Sequence, residues 1–199
     1  MHPNRPALRI LAATTAALSA GVALAGCSGH GAVSQDITGS KGYIQGNLAL
    51  DFIAVSHRHT VPSVTGTTLQ GQRFDLAAWR GKVVVVNFWA SNCAPCVSEA
   101  PAFEQVYAND KSKGVEFLGV DVRDDKYQAT QFEATNHVSY PSLFDPSNLV
   151  ALHFRGLPPN ATPTTIVLDR SGRIAARQSG EIYYTQLRDL VAQVLKEPA

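Results

Sequence analysis

Cys93 and Cys96 are the residues of this chain best suited to chemistry by type and spacing. They lie within Asn87-Phe88-Trp89-Ala90-Ser91-Asn92-Cys93-Ala94-Pro95-Cys96-Val97-Ser98-Glu99-Ala100-Pro101. Before them runs Val83-Val84-Val85-Val86, a β-branched stretch that predicts a strand buried on both faces. After them, Val97, Phe103, Val106 and Tyr107 recur at spacings that suit one face of a helix. The pair is therefore expected where a central strand ends and a helix begins, the usual place for chemistry in an α/β sheet. Two intervening residues in a first helical turn bring two sulfurs close enough to close a small disulfide ring. The helix start also offers unpaired N–H groups and the positive end of the macrodipole, which favour a thiolate on the first cysteine. That thiolate is the nucleophile of thiol–disulfide exchange. Pro95 suits the first turn, where a missing N–H costs nothing, whereas Pro101 is expected to kink the helix. Half of a structural zinc site would use the same spacing, but the chain has no second pair to complete one.

The chain has three cysteines, and the third stands in another context. Arg5 and Arg9 precede an apolar run at residues 10–25, too short and Ala-rich for a transmembrane helix but laid out like a secretory signal. It ends in Leu24-Ala25-Gly26-Cys27, which resembles a bacterial lipobox, with Cys27 as the lipidated first residue of the mature protein. The expected organisation is a signal peptide at residues 1–26, a Gly- and Ser-rich flexible tether at 27–46 and one domain at 47–199. An acyl chain would anchor that domain on the outer face of the cell membrane without spanning it. In an exported protein, the remaining lone, closely spaced pair points to catalysis rather than to a fold staple. Taking Arg5 and Arg9 from the 17 basic residues leaves 15 against 16 acidic ones, which gives no electrostatic reason to expect nucleic acid.

Strand and helix patterns alternate along the domain, as in an α/β sheet. Residues 48–55 are apolar enough for a strand. Residues 61–69 and 71–76 predict two short strands about a Gly-containing turn, and 77–82 a short helix closed by Gly81, with Trp79 packed under the sheet. Residues 115–121 predict a second buried strand, and 124–137 a helix anchored by Tyr127, Phe132 and Val138. A brief strand is expected at 139–145, then a short helix at 147–154 with Ser147 and Asn148 as capping residues. After a loop at 156–161, Thr162-Pro163 opens a strand that returns through a hairpin at residues 170–173. An amphipathic helix at 184–196 would cover the sheet with Leu187, Leu190, Val191 and Val194 or Leu195. His57 and His59 alternate like metal ligands, but in a polar loop such a pair is ordinarily solvated, and His153 reads as a helix-surface or packing residue.

With these motifs in order, the domain from about Val61 onward resembles thioredoxin-fold thiol–disulfide oxidoreductases of the membrane-anchored TlpA/ResA type. The resemblance rests on Phe88-Trp89-Ala90-Ser91-Asn92-Cys93-Ala94-Pro95-Cys96, on Glu99 and Pro101, and on Thr162-Pro163-Thr164-Thr165. It implies a central mixed sheet with helices on both faces, an N-terminal extension and a strand–helix insert at about 123–154. It implies that Cys93 is the nucleophilic, partly exposed cysteine and Cys96 the buried resolving one, together the redox-active disulfide. Pro163 would be a cis-proline facing the pair, Thr162 would offer its backbone to a substrate chain, and Glu99 would help move protons. The implied partners are protein thiols and disulfides, such as cytochrome c apoproteins, and a membrane electron donor, with the protein acting as a monomeric reductant without cofactor or metal. Asn92 departs from the tryptophan common before the first cysteine and makes that surface more polar. Two other activities suit a related fold. A thiol peroxidase would need Thr-x-x-Cys where this chain has Ala90-Ser91-Asn92-Cys93, and a Cu(I)-handling module would use both thiolates and a histidine.

Overall fold

The computed structural model describes residues 50–154 and 162–198. The expected signal peptide, Cys27, the tether and the loop at 156–161 lie outside them.

The predicted valine strand is β4 (Val83–Trp89), and every one of its residues is buried. It pairs in parallel with β5 (Val115–Asp121) and antiparallel with β7 (Thr164–Leu168). The sheet is completed by β6 (Ser142–Phe144) beside β5, and by β8 (Ile174–Ser179) and β1 (Asp51–Phe52) beyond β7, in the order β1-β8-β7-β4-β5-β6. The parallel β4 and β5 need a crossover, which α1 (Ala94–Asp110) supplies. A separate hairpin joins β2 (Thr65–Thr67) to β3 (Arg73–Asp75).

Strand alternation sorts the core into two faces. Val83 and Val85 of β4 pack with Phe103 and Val106 of α1 and with Leu187, Leu190, Val191 and Val194 of α3 (Tyr184–Leu195). Val84, Val86 and Phe88 face the other way, under Val61, Val64, Leu76, Val150 and Phe154. Trp79 packs there too, edge-on to Phe74. Trp89 stacks on Phe132 of α2 (Lys126–Thr135), in a third cluster that holds Cys96 and Ala100.

Several expectations change in detail. Pro101 does lie inside α1, which runs to Asp110. Tyr127 is no anchor, being 73% exposed. The inward face of α2 is Ala129, Phe132 and Glu133, and a residue two positions before Ala129 points about 200° away from it. Residues 147–154 form only a 3-10 turn at Val150–His153. The Asp145 carboxylate takes the N–H groups of Leu149 and Val150 at 3.0 and 2.7 Å, so it fills the role expected of Ser147 and Asn148. Residues 77–82 likewise contract to a 3-10 turn at Leu76–Trp79, and the strand expected at 48–55 keeps only Asp51–Phe52.

Candidate active site

The end of β4 delivers Cys93 as the N-cap of α1, where its sulfur accepts from the Cys96 N–H at 3.3 Å. The two cysteines form a disulfide across this first turn. Cys93 is half-buried and Cys96 is 1% exposed, so the pair is asymmetric towards solvent. Asn92 is exposed beside it, adding polar surface at the rim. The Thr162–Pro163 peptide is cis, Pro163 is buried, and its carbonyl accepts from Gly180 N–H at 2.8 Å.

Glu99 is not a solvated helix carboxylate. One turn beyond Cys96, it is 2% exposed and wedged between α1, β4 and the entry to α3. Asn87 donates to its Oε1 at 2.8 Å, and the Ile182 N–H donates to its Oε2 at 3.2 Å. Burial dominates these favourable contacts and pushes the carboxyl up to about 8. Glu99 also lines a recess of about 320 Å³ with Ser98, Gln105, Glu181 and Tyr184, a route between the carboxyl and water.

Sequence reasoning missed the groups around these residues. Asn87 is the one polar residue in Val83–Trp89, a signal that was open to reading. Asp121, at the end of β5, is fully buried, and its carboxyl is pushed up to about 8 by burial and then by neighbouring Asp124. Asp124 itself accepts from Ser91 N–H, two residues before Cys93. Arg123 donates to Thr162 Oγ1, on the loop of the cis-proline. No local pattern brings residues 91, 124 and 162 together; sheet order does. His57, His59 and His153 are exposed, and among the described residues no group of three metal-ligating side chains comes together.

Comparison with known proteins gives this geometry a family. The redoxin family profile matches residues 57–194. The thiol–disulfide oxidoreductase ResA of Geobacillus thermodenitrificans is 32% identical over 131 residues, covering 66% of this chain and 74% of that protein. ResA of Bacillus subtilis is 27% identical over 136 residues, covering 68% and 74%. The crystal structure of a secreted thiol–disulfide isomerase from Corynebacterium glutamicum superposes with a TM-score of 0.73 at 30% identity, covering 78% of this chain and 96% of that one. A DsbF homologue from Corynebacterium diphtheriae gives 0.72 at 31% identity, covering 76% and 96%. The chain thus belongs to the redoxin family, as a ResA-like thiol–disulfide oxidoreductase of the thioredoxin superfamily.

Proposed function

We propose that Cys93 is the nucleophile, Cys96 the resolving thiol and Glu99 the proton-handling group of a reductant of protein disulfides. The observation that carries this reading is the asymmetry of one helical turn. The half-exposed sulfur caps α1, the buried one lies beneath, and a neutral-prone carboxyl follows a turn later. In the reduced protein, the Cys93 thiolate attacks a partner disulfide, forms a mixed disulfide and expels one partner thiolate, which takes a proton. Cys96 then loses its proton and attacks Cys93, expelling the second partner thiolate. The partner gains two electrons and two protons, and the Cys93–Cys96 disulfide closes. In its ionised form Glu99 would accept the Cys96 proton and then release it through the adjoining recess. Thr162 would hold the partner chain in extended form by its backbone, opposite Pro163.

The test is trapping. Cys96→Ser is expected to accumulate mixed disulfides on Cys93, and Cys93→Ser almost none; equal trapping by both variants would reverse the assignment. An equilibrium potential near thioredoxin's, about −270 mV, agrees with a reductant, and one near about −120 mV contradicts it.

We further propose that the domain works outside the cytoplasmic membrane on a lipid anchor at Cys27. Support comes from Leu24-Ala25-Gly26-Cys27 and from a structural neighbour described as secreted. The donor that re-reduces the pair would then be a membrane protein, and the partners exported proteins such as cytochrome c apoproteins. Cys27→Ala should release the domain from the membrane fraction or leave its precursor uncleaved, with exchange activity in solution intact. Membrane-extracted mature protein with an unmodified Cys27 would remove the anchor.

A further inference from the structure

The turn that leaves β5 makes two contacts across the site that the exchange steps leave unused. Asp124, 6% exposed, holds the Ser91 N–H on the loop before Cys93. Arg123 donates from Nη2 to the Thr162 hydroxyl on the loop of Pro163. One dipeptide thereby ties together the two loops that flank the disulfide.

Arg123 makes its contact from a φ of 72°, a left-handed backbone that glycine adopts freely and a residue with a Cβ adopts only at a cost. Among the described residues, two other non-glycine residues share this region. His137 follows the C-cap of α2, a common place for it, and Asn148 has the short polar side chain that tolerates it. Arg123 has neither excuse, and strain kept at the rim of a reactive site points to a use for the side chain. The residue is exposed, and its bond to Thr162 occupies one of five guanidinium N–H donors. Among the described residues, no carboxylate lies within ion-pair distance of it. A positive fork is thus held at the side chain of the residue whose backbone would receive the partner.

We propose that Arg123 is a specificity-determining residue that pairs with a carboxylate carried by the partner chain beside its reacting cysteine. The inference rests on the reading that Cys93 and Thr162 face that chain. An extended segment laid along Thr162 presents its side chains alternately, so one flanking position falls on the Arg123 side. The planar guanidinium matches a carboxylate with two parallel N–H groups. Such an exposed pair changes rates by about two- to fivefold and weakens with salt.

The experiment follows oxidation of the pre-reduced full chain by disulfide-linked peptides that differ only in Glu, Gln or Lys next to the cysteine. Neutral 2-hydroxyethyl disulfide serves as the reference. Glu is expected to exceed Gln by about two- to fivefold at low salt and to lose that lead at high salt. Arg123→Gly suits the observed φ, so it should keep the fold and bring the Glu-to-Gln ratio to one, with the 2-hydroxyethyl disulfide rate normalising the peptide rates. Arg123→Lys should retain part of the preference, and Arg123→Glu should favour the Lys peptide. An unchanged ratio in Arg123→Gly overturns the proposal, as does an equal loss on every substrate, which would make Arg123 a positioning residue only. If the parent protein fails on 2-hydroxyethyl disulfide as well, the exchange reading falls with it; if it reacts but ignores peptide charge, this inference alone falls.

Discussion

Glu99 is a carboxyl whose ionised form the fold penalises. Displacement from the ordinary 4.5 to about 8 corresponds to a cost of ionisation on the order of 5 kcal/mol in the folded state. Because the folded value is raised, this contribution to stability is complete below about pH 4.5 and is lost as pH climbs through about 8. Glu99→Gln keeps the shape, and the Asn87 amide can turn to meet the new N–H₂ group. The variant should therefore lose the Glu99 share of the decline in melting temperature between pH 5 and 9. A comparable decline should persist, since Asp121 is raised to about 8 as well. In disulfide reduction, the parent's pH profile should carry an inflection near 8 that the variant lacks, and profiles that overlay would make Glu99 a structural group only. At this scale the cysteines were legible in the sequence because spacing and strand context define them. The burial of Glu99 was not, since i+3 spacing from Cys96 says which face it shares but not what covers that face. The Asp124–Ser91 and Arg123–Thr162 contacts were out of reach for the same reason.

Elements that must fit closely leave narrower marks. Gly119 in β5 lies against β6, and a Cβ there would stand 2.2 Å from Ser142 Oγ and 2.8 Å from Trp89 Nε1. Trp89 is already stacked on Phe132 at 4.1 Å between ring centres, so it has little room to retreat. Gly119→Ala should cost about 1–3 kcal/mol in denaturant unfolding. It should also perturb exchange, because Trp89 ends the strand that carries Cys93; a melting curve that overlays the parent's would show the sheet more compliant than this geometry allows. The long elements, β4, β5, α1 and α3, were readable because period and length agreed over many residues. The short ones were not, because their form depends on distant partners. Asp145 takes the N–H groups that a helix at 147–154 would have left to Ser147 and Asn148, and β1 exists only by pairing with β8.

On the scale of the whole molecule, the segment at residues 51–61, interrupted by a 3-10 turn at Val55–His57, lies along the outer side of β8. Asp51 and Phe52 pair with Arg177 and Ala176, Ile53 N–H reaches Ala175, and Ile174 N–H reaches His59. Between these contacts Arg58 closes the segment, bonding Ile53, Asp169 and Glu197 from a fully buried side chain. Strand pairing thus ends on a strand of two residues rather than on the full length of β8. A chain beginning at Thr60 would keep the disulfide, Glu99 and Pro163, yet bare the outer edge of β8 where Asp51, Phe52, Ile53 and His59 now bond to it. Bare edges of this kind recruit other edges. Such a chain should scatter light and lose monomer with rising concentration while its fresh, dilute preparations still exchange disulfides. On that outcome, the segment outside the catalytic fold would guard colloidal solubility, deciding how much of the protein survives to react rather than how fast it does so.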